Sequence, residues 1–164
     1  VSFLTLRPAL LDVRGEAGAS WNSFVRAVTQ RNDLVPGLVE AVKGFEPGHA
    51  KMLERLLEAR SISSRLADPD SVVASVDDMD RYLIQIEKMA KSRPDLAAYP
   101  PFASHWEKVL NASRRVAFAR MSHYTNSRLY NRLLAPFPQN LLAALFGFVP
   151  LNEYPMVPMI GESS

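Results

Sequence analysis

Apolar residues from Trp21 to Phe45 fall on a seven-residue grid. Trp21, Val28, Val35 and Val42 form one row, and Phe24, Leu38 and Phe45 form the other. Such spacing places both rows on one face of a helix. Arg31 interrupts the second row, and Pro36 sits inside the pattern. The grid predicts a first helix that begins within 4–16 and runs to about Gly44, which suits a C-terminal cap. Pro36 has no amide hydrogen and crowds the carbonyl four residues back, so a kink is expected near Asn32.

Pro47-Gly48 is turn chemistry. A second helix is predicted over 48–66, with Met52, Leu56, Ala59, Ser63 and Leu66 inward. Asp68-Pro69-Asp70 is a start signal: a capping acid, proline at the first helical position, then an acid at the positive end of the dipole. The third helix carries Val72, Met79 and Ile86 in one row and Val76, Leu83 and Ala90 in another, ending before Pro94. Tyr99-Pro100-Pro101 opens a fourth helix to about Leu134. Phe102, Trp106, Val109, Val116, Ala117, Tyr124 and Tyr130 lie on or near its inward face. Pro136 and Pro138 stop it. Gln139 to Phe146 reads as a short fifth helix, and the tail after Gly147 as extended or disordered. No segment alternates like a strand. The expectation is an all-α fold: an elongated antiparallel up-down four-helix bundle with a short fifth C-terminal helix. Residues 1–148 form one domain on this reading, and 149–164 a proline-containing extended tail.

The length of 164 residues fits one domain with a real core. No cysteine is present, which excludes disulfides, thiolate metal sites and thiol nucleophiles. No apolar run is long enough to span a bilayer. Net charge is only +2, but it is uneven. Acids dominate 68–100, whereas 101–146 holds Glu107 against Lys108, Arg114, Arg115, Arg120, Arg128 and Arg132. A basic helix can bind phosphate or anionic lipid. The favoured alternative lays it against the acidic third helix, with Arg114 and Arg115 paired to Asp77, Asp78 and Asp80.

Catalytic chemistry is hard to find. His49, His105 and His123 are too scattered for zinc. There is no GxSxG elbow and no glycine-rich phosphate loop. No cofactor, metal site or nucleic-acid surface is expected, and the chain reads as a non-enzyme. Arg31 and Arg120 are the sharper signals, because each lies on or beside an apolar row and a buried guanidinium must find an acceptor. One reading is an anion or peptide-carboxylate site inside the bundle. The favoured one is a structural ion pair, with Asp33 and Asp95 as candidate partners, or a guanidinium that reaches out past its own stem. The run from Leu141 to Phe148 is the best candidate for a protein or membrane-surface contact, although docking onto the bundle is the default.

The wording of several segments resembles a known family. Gln30-Arg31-Asn32-Asp33-Leu34-Val35-Pro36-Gly37-Leu38-Val39, followed by Val42-Lys43-Gly44-Phe45, is similar to the central signature of the LemA family. So are Arg93-Pro94-Asp95-Leu96-Ala97-Ala98, Arg115-Val116 with Arg120, Tyr130-Asn131, and Phe137-Pro138-Gln139-Asn140-Leu141 with Phe146-Gly147-Phe148. The resemblance covers about residues 20–158 in order. It departs where relatives usually carry an acid: Val25 stands at one such position and Ser113 near another, while His123-Tyr124 replaces a Tyr-Asn pair. These changes suggest an internal polar network thinner than in relatives. The resemblance implies a helical bundle tethered by a single N-terminal transmembrane helix, which would precede Val1. It carries over no catalytic residue. The function expected is a membrane-tethered interaction or scaffold domain with an unknown protein partner. The alternative is a sensor binding a small anion or peptide between helices near Arg31 and Arg120.

Overall fold

The computed structural model describes residues 3–63, 68–136 and 139–162. It is all-α. Helix α1 spans Phe3–Phe45, α2 Ala50–Ser63, α3 Pro69–Ser92, α4 Pro94–Ala97, α5 Pro100–Leu134 and α6 Gln139–Leu145, with a 3-10 turn at Pro47–His49. Leu66, Phe137 and Pro138 lie outside the described residues, as does the Ser63 side chain.

Punctuation sets most of these boundaries. Asp68 caps α3 by accepting the Ser71 amide at 2.9 Å, with Pro69 in the first turn. That same amide hydrogen bond holds the Asp68 carboxyl below its usual range. Gly44 is a correction. The helix runs past it to Phe45, and its φ is not positive, so it is no left-handed cap. Helix α1 also stays helical through Pro36. Without an amide at position 36, the Asn32 carbonyl loses its helical donor. Arg60 Nε of α2 donates to that oxygen at 2.8 Å, and its Nη2 lies 3.7 Å from Asp33. The proline defect in α1 is thus filled from the next helix. The one-turn α4 has no counterpart in the sequence pattern; it buries Leu96.

The chain forms two compact units. The larger comprises Arg26–Ala117 and Val157–Ser164. Its core draws Val35, Leu38, Val39 and Val42 from α1, Leu53, Leu56 and Ala59 from α2, Met79, Leu83 and Ile86 from α3, and Phe102 and Val109 from α5. Leu53, rather than the predicted Met52, takes the buried position at the start of α2. The tail belongs to this core as well. Ile160 packs into it, and Gly161 donates its amide to buried Glu87 at 3.1 Å. Gly161 has φ of 83° and a Cβ there would lie 2.9 Å from Leu110 Cδ1, so both the backbone and the space require glycine.

The smaller unit comprises Val1–Val25 and Phe118–Met156. Leu10 of α1, Tyr130 and Leu134 of α5, Ala143 of α6 and Phe148 form its core. The end of α6 explains the Phe-Gly-Phe wording. Gly147 takes φ of 78°, its amide donates to the Ala144 carbonyl at 3.1 Å, and the Phe148 amide donates to the Ala143 carbonyl at 2.9 Å. This is a Schellman cap, in which the residue after the glycine folds back onto the last helical turns. Phe148 and Ala143 accordingly share the core. Phe146, on the other side of the glycine, is exposed.

Candidate functional site

Arg31 is fully buried in the larger unit, on the row the sequence pattern assigns to it. Its partner is Asp80 of α3, which its Nη1 contacts as a buried hydrogen-bonded ion pair. Neither predicted partner is used. Asp33 faces Arg60. Asp95 is bound by Arg93, which donates to it from Nε at 3.1 Å and Nη2 at 3.0 Å, and also reaches Glu46 at 2.7 Å. Arg93 lies over the Phe45 ring, 5.5 Å from its centroid. The guanidinium hydrogen bond holds the Asp95 carboxyl below its usual range, and the two acids raise the Arg93 guanidinium further. The reason for the exchange is register. Val73, Asp80 and Glu87 repeat every seven residues on the core face of α3, and both acids are buried.

The predicted pairing of Arg114 and Arg115 with the α3 acids is also corrected. Asp78 is taken by Arg81 one turn on, and Asp80 by Arg31. Arg114 bonds to Asn111 Oδ1 at 3.3 Å. Arg115 is exposed and makes no ion pair among the described residues.

Arg31 Nε and Nη2 are buried with no hydrogen-bond partner among the described residues, and the same holds for Ser113 Oγ. Val25, by contrast, is exposed.

The smaller unit holds the other predicted residues. Arg120 is buried and donates from Nε to the Pro155 carbonyl at 3.1 Å. Tyr130 is a core residue, and burial pushes its phenol above the usual value. Asn131 grips the tail: Nδ2 donates to the Leu151 carbonyl and Oδ1 accepts the Leu151 amide, each at 2.8 Å. Around them lies an aromatic set that sequence reasoning does not assemble. The His123 ring lies 5.2 Å from Trp21 and 5.9 Å from Tyr154, and its Nε2 is 3.4 Å from Ser127 Oγ.

Burial depresses the His123 pKa. The folded chain therefore resists protonation there, whereas the unfolded chain takes a proton near pH ~6.5. Below that pH the unfolded state binds more protons, so stability should fall as pH drops through ~6.5 and level off below the folded pKa. Urea midpoints at pH 8 and pH 5 check this. His123→Phe should lose less than the native chain over that interval; equal losses refute the assignment.

No group of three or more His, Asp or Glu side chains able to hold a metal occurs among the described residues. Two hollows in the larger unit, about 240 Å³ beside Lys51, Arg55 and Tyr82 and about 330 Å³ beside Glu87, Lys88 and Met159, do not include Arg31. No helix of the described residues is long and apolar enough to cross a membrane.

The LemA family model matches residues 20–159, a span that contains the Arg31 row, the Arg120 contact and the Phe-Gly-Phe cap. The chain belongs to the LemA family. No curated protein matches it. Within the family signature, the structure separates two kinds of residue in this LemA chain. Arg31, Arg120, Tyr130 and Asn131 bind internal partners or pack in a core. The exposed apolar residues form the second kind. Val25, Phe118, Met121, Leu129, Leu141, Leu142, Leu145, Phe146, Val149 and Met156, together with Leu4 and Leu11 ahead of the matched span, all fall in the smaller unit among the described residues.

Proposed function

We propose that this LemA chain is a non-enzymatic, membrane-tethered interaction domain that docks a protein partner on the smaller unit. One observation carries the reading. Phe118, 69% exposed, lies with Met121 and Leu129 on a single outward stripe of α5. At 100° per residue the three fall within about 80° of arc. Apolar side chains gathered on one unit are the mark of a docking surface, whereas scattered ones need no explanation. Aromatic and methionine side chains are also enriched where proteins meet. Family resemblance supports the tether. Sensing near Arg31 and Arg120 is the second reading, because Asp80 already holds Arg31 Nη1 and the Pro155 carbonyl accepts from Arg120 Nε, which leaves Arg31 Nε and Nη2 without a partner among the described residues.

The test is site-specific photocrosslinking from position 118 in the full-length protein in its native membrane, with mass spectrometry of the adducts. One protein recovered repeatedly from position 118, and lost on Met121→Ser, is the expected result. Recovery of only lipid and the protein itself overturns the proposal.

A further inference from the structure

The two hollows of the larger unit differ in charge. Lys88 lines the one beside the tail together with the acids Glu87 and Glu162. The other, about 240 Å³ between α2 and α3, is lined by Lys51, Met52 and Arg55 from α2 and by Tyr82 and Gln85 from α3, with no acid among them. Lys51 and Arg55 stand one helical turn apart, and Tyr82 and Gln85 three residues apart, spacings that keep each pair on one helix face. Met52 and Tyr82 pack against the core, whereas Lys51, Arg55 and Gln85 are exposed. The hollow thus has an apolar floor and a basic, polar rim.

Arginines on neighbouring turns find acids: Arg60 has Asp33, and Arg81 has Asp78. The Lys51 and Arg55 side chains make no ion pair or hydrogen bond among the described residues, although Glu54 and Glu58 stand on the same helix. The same is true of the Tyr82 phenol and the Gln85 amide. Like charges at this spacing repel. Helix α2 also has no acid in its first turn, so Lys51 adds to the positive end of the dipole. Two cations therefore sit where the helix by itself disfavours them, and an anion held between them removes the conflict.

The size and the donors select the anion. Pockets for drug-sized ligands run from about 300 to 1,000 Å³, so this hollow suits a smaller group. An arginine fork matches two oxygens of a phosphate, and a lysine ammonium supplies a point charge beside them. The phenol and the carboxamide add neutral donors. A carboxylate has only two oxygens to share among these groups, whereas a phosphate group has three or more.

We infer that the hollow between α2 and α3 binds a phosphate group, as the free ion or as the end of a small phosphate monoester, through Lys51, Arg55, Tyr82 and Gln85. Once bound, the anion ties α2 to α3 and makes the stability of the larger unit depend on ligand. The inference is independent of the docking surface on α5.

Calorimetric titration of the 164-residue chain with inorganic phosphate and with glycerol 3-phosphate, at fixed ionic strength balanced by chloride, tests it. Saturable binding is expected, with amide shift changes in NMR spectra concentrated at 51–55 and 82–85. Tighter binding of glycerol 3-phosphate assigns the monoester, and equal or weaker binding assigns the free ion; either supports the site. Lys51→Gln with Arg55→Gln should weaken binding by about 10-fold or more, and Tyr82→Phe, which keeps the ring, by about 3- to 10-fold. Arg114→Gln with Arg115→Gln removes the same charge from exposed positions of α5 and should change nothing. Circular dichroism checks that each variant folds. Phosphate should also raise the urea midpoint of the native chain more than that of the Lys51 and Arg55 double variant, a comparison that subtracts the general salt effect. The inference is overturned by no saturable binding of either anion, by equal losses in the two double variants, or by shift changes that lie away from α2 and α3.

Discussion

Replacing Asp80 with alanine should destabilise the protein by about 3–5 kcal/mol, the range for removing one partner of a buried ion pair. Arg31 is fully buried, and two of its nitrogens already have no acceptor among the described residues. Asp80 supplies the carboxylate that the structure shows for it. Its loss leaves a cation in an apolar core that water does not reach. Small domains are stable by only about 5–15 kcal/mol, so the variant should show a much lower urea midpoint. The paired change Arg31→Met with Asp80→Leu should restore most of the loss or exceed native stability. Two desolvated charges are then replaced by apolar packing, and the desolvation penalty disappears with them. A single-variant cost below about 1 kcal/mol, typical of exposed pairs, would mean that Arg31 has another acceptor and the pairing is misassigned.

The Arg31–Asp80 pair shows where sequence reasoning stops. The need for a buried acceptor is legible, because Arg31 falls on an apolar row. Its identity is not. Asp80 stands in the acidic run Asp77-Asp78-Asp80, which reads as solvated charge near a helix start. The usable signal is the spacing of Val73, Asp80 and Glu87, which places two acids on the core face at an interval of seven. Helix extents are legible for a different reason. They are set by local patterns: the grid in α1, the Asp-Pro-Asp start of α3, the prolines before α5. The tail has no such pattern. Its order comes from side chains gripping backbone groups far away in sequence, Glu87 on Gly161 and Asn131 on Leu151. Neither contact leaves a periodic trace in residues 149–162. Gly147 reads as the start of a tail, yet its left-handed φ is what folds Phe148 into the core. The Arg60 bond to the Asn32 carbonyl follows from Pro36 by simple accounting of donors, but nothing in α2 alone names Arg60 as the donor.

Asn131→Asp should release the tail of the smaller unit, at a cost of about 2–4 kcal/mol. Asn131 mimics a paired strand: its Oδ1 accepts the Leu151 amide while its Nδ2 donates to the Leu151 carbonyl, both at 2.8 Å. Nδ2 also donates to Glu153 Oε1 at 3.1 Å. Aspartate preserves the shape and the Oδ1 acceptor, but puts an ionised oxygen where the donor was. That oxygen then faces the Leu151 carbonyl and the Glu153 carboxylate, neither of which can donate. Two hydrogen bonds become repulsive contacts, and loss of one partner of a charged hydrogen bond alone is worth about 1.5–3 kcal/mol. Asn131→Ala loses all three bonds without the repulsion, so it should cost less than aspartate. The acid also makes the defect titratable. Lowering the pH through about 4 protonates the introduced carboxylate, gives it an O–H donor and should recover part of the loss, opposite in sign to the His123 effect. Amide hydrogen exchange at Leu151 reads the release directly, since that N–H is the bonded group. If aspartate cost no more than alanine, or exchange at Leu151 stayed slow in both variants, the paired geometry would be refuted and the tail would have to be held by Phe148 packing and the Arg120 contact to Pro155.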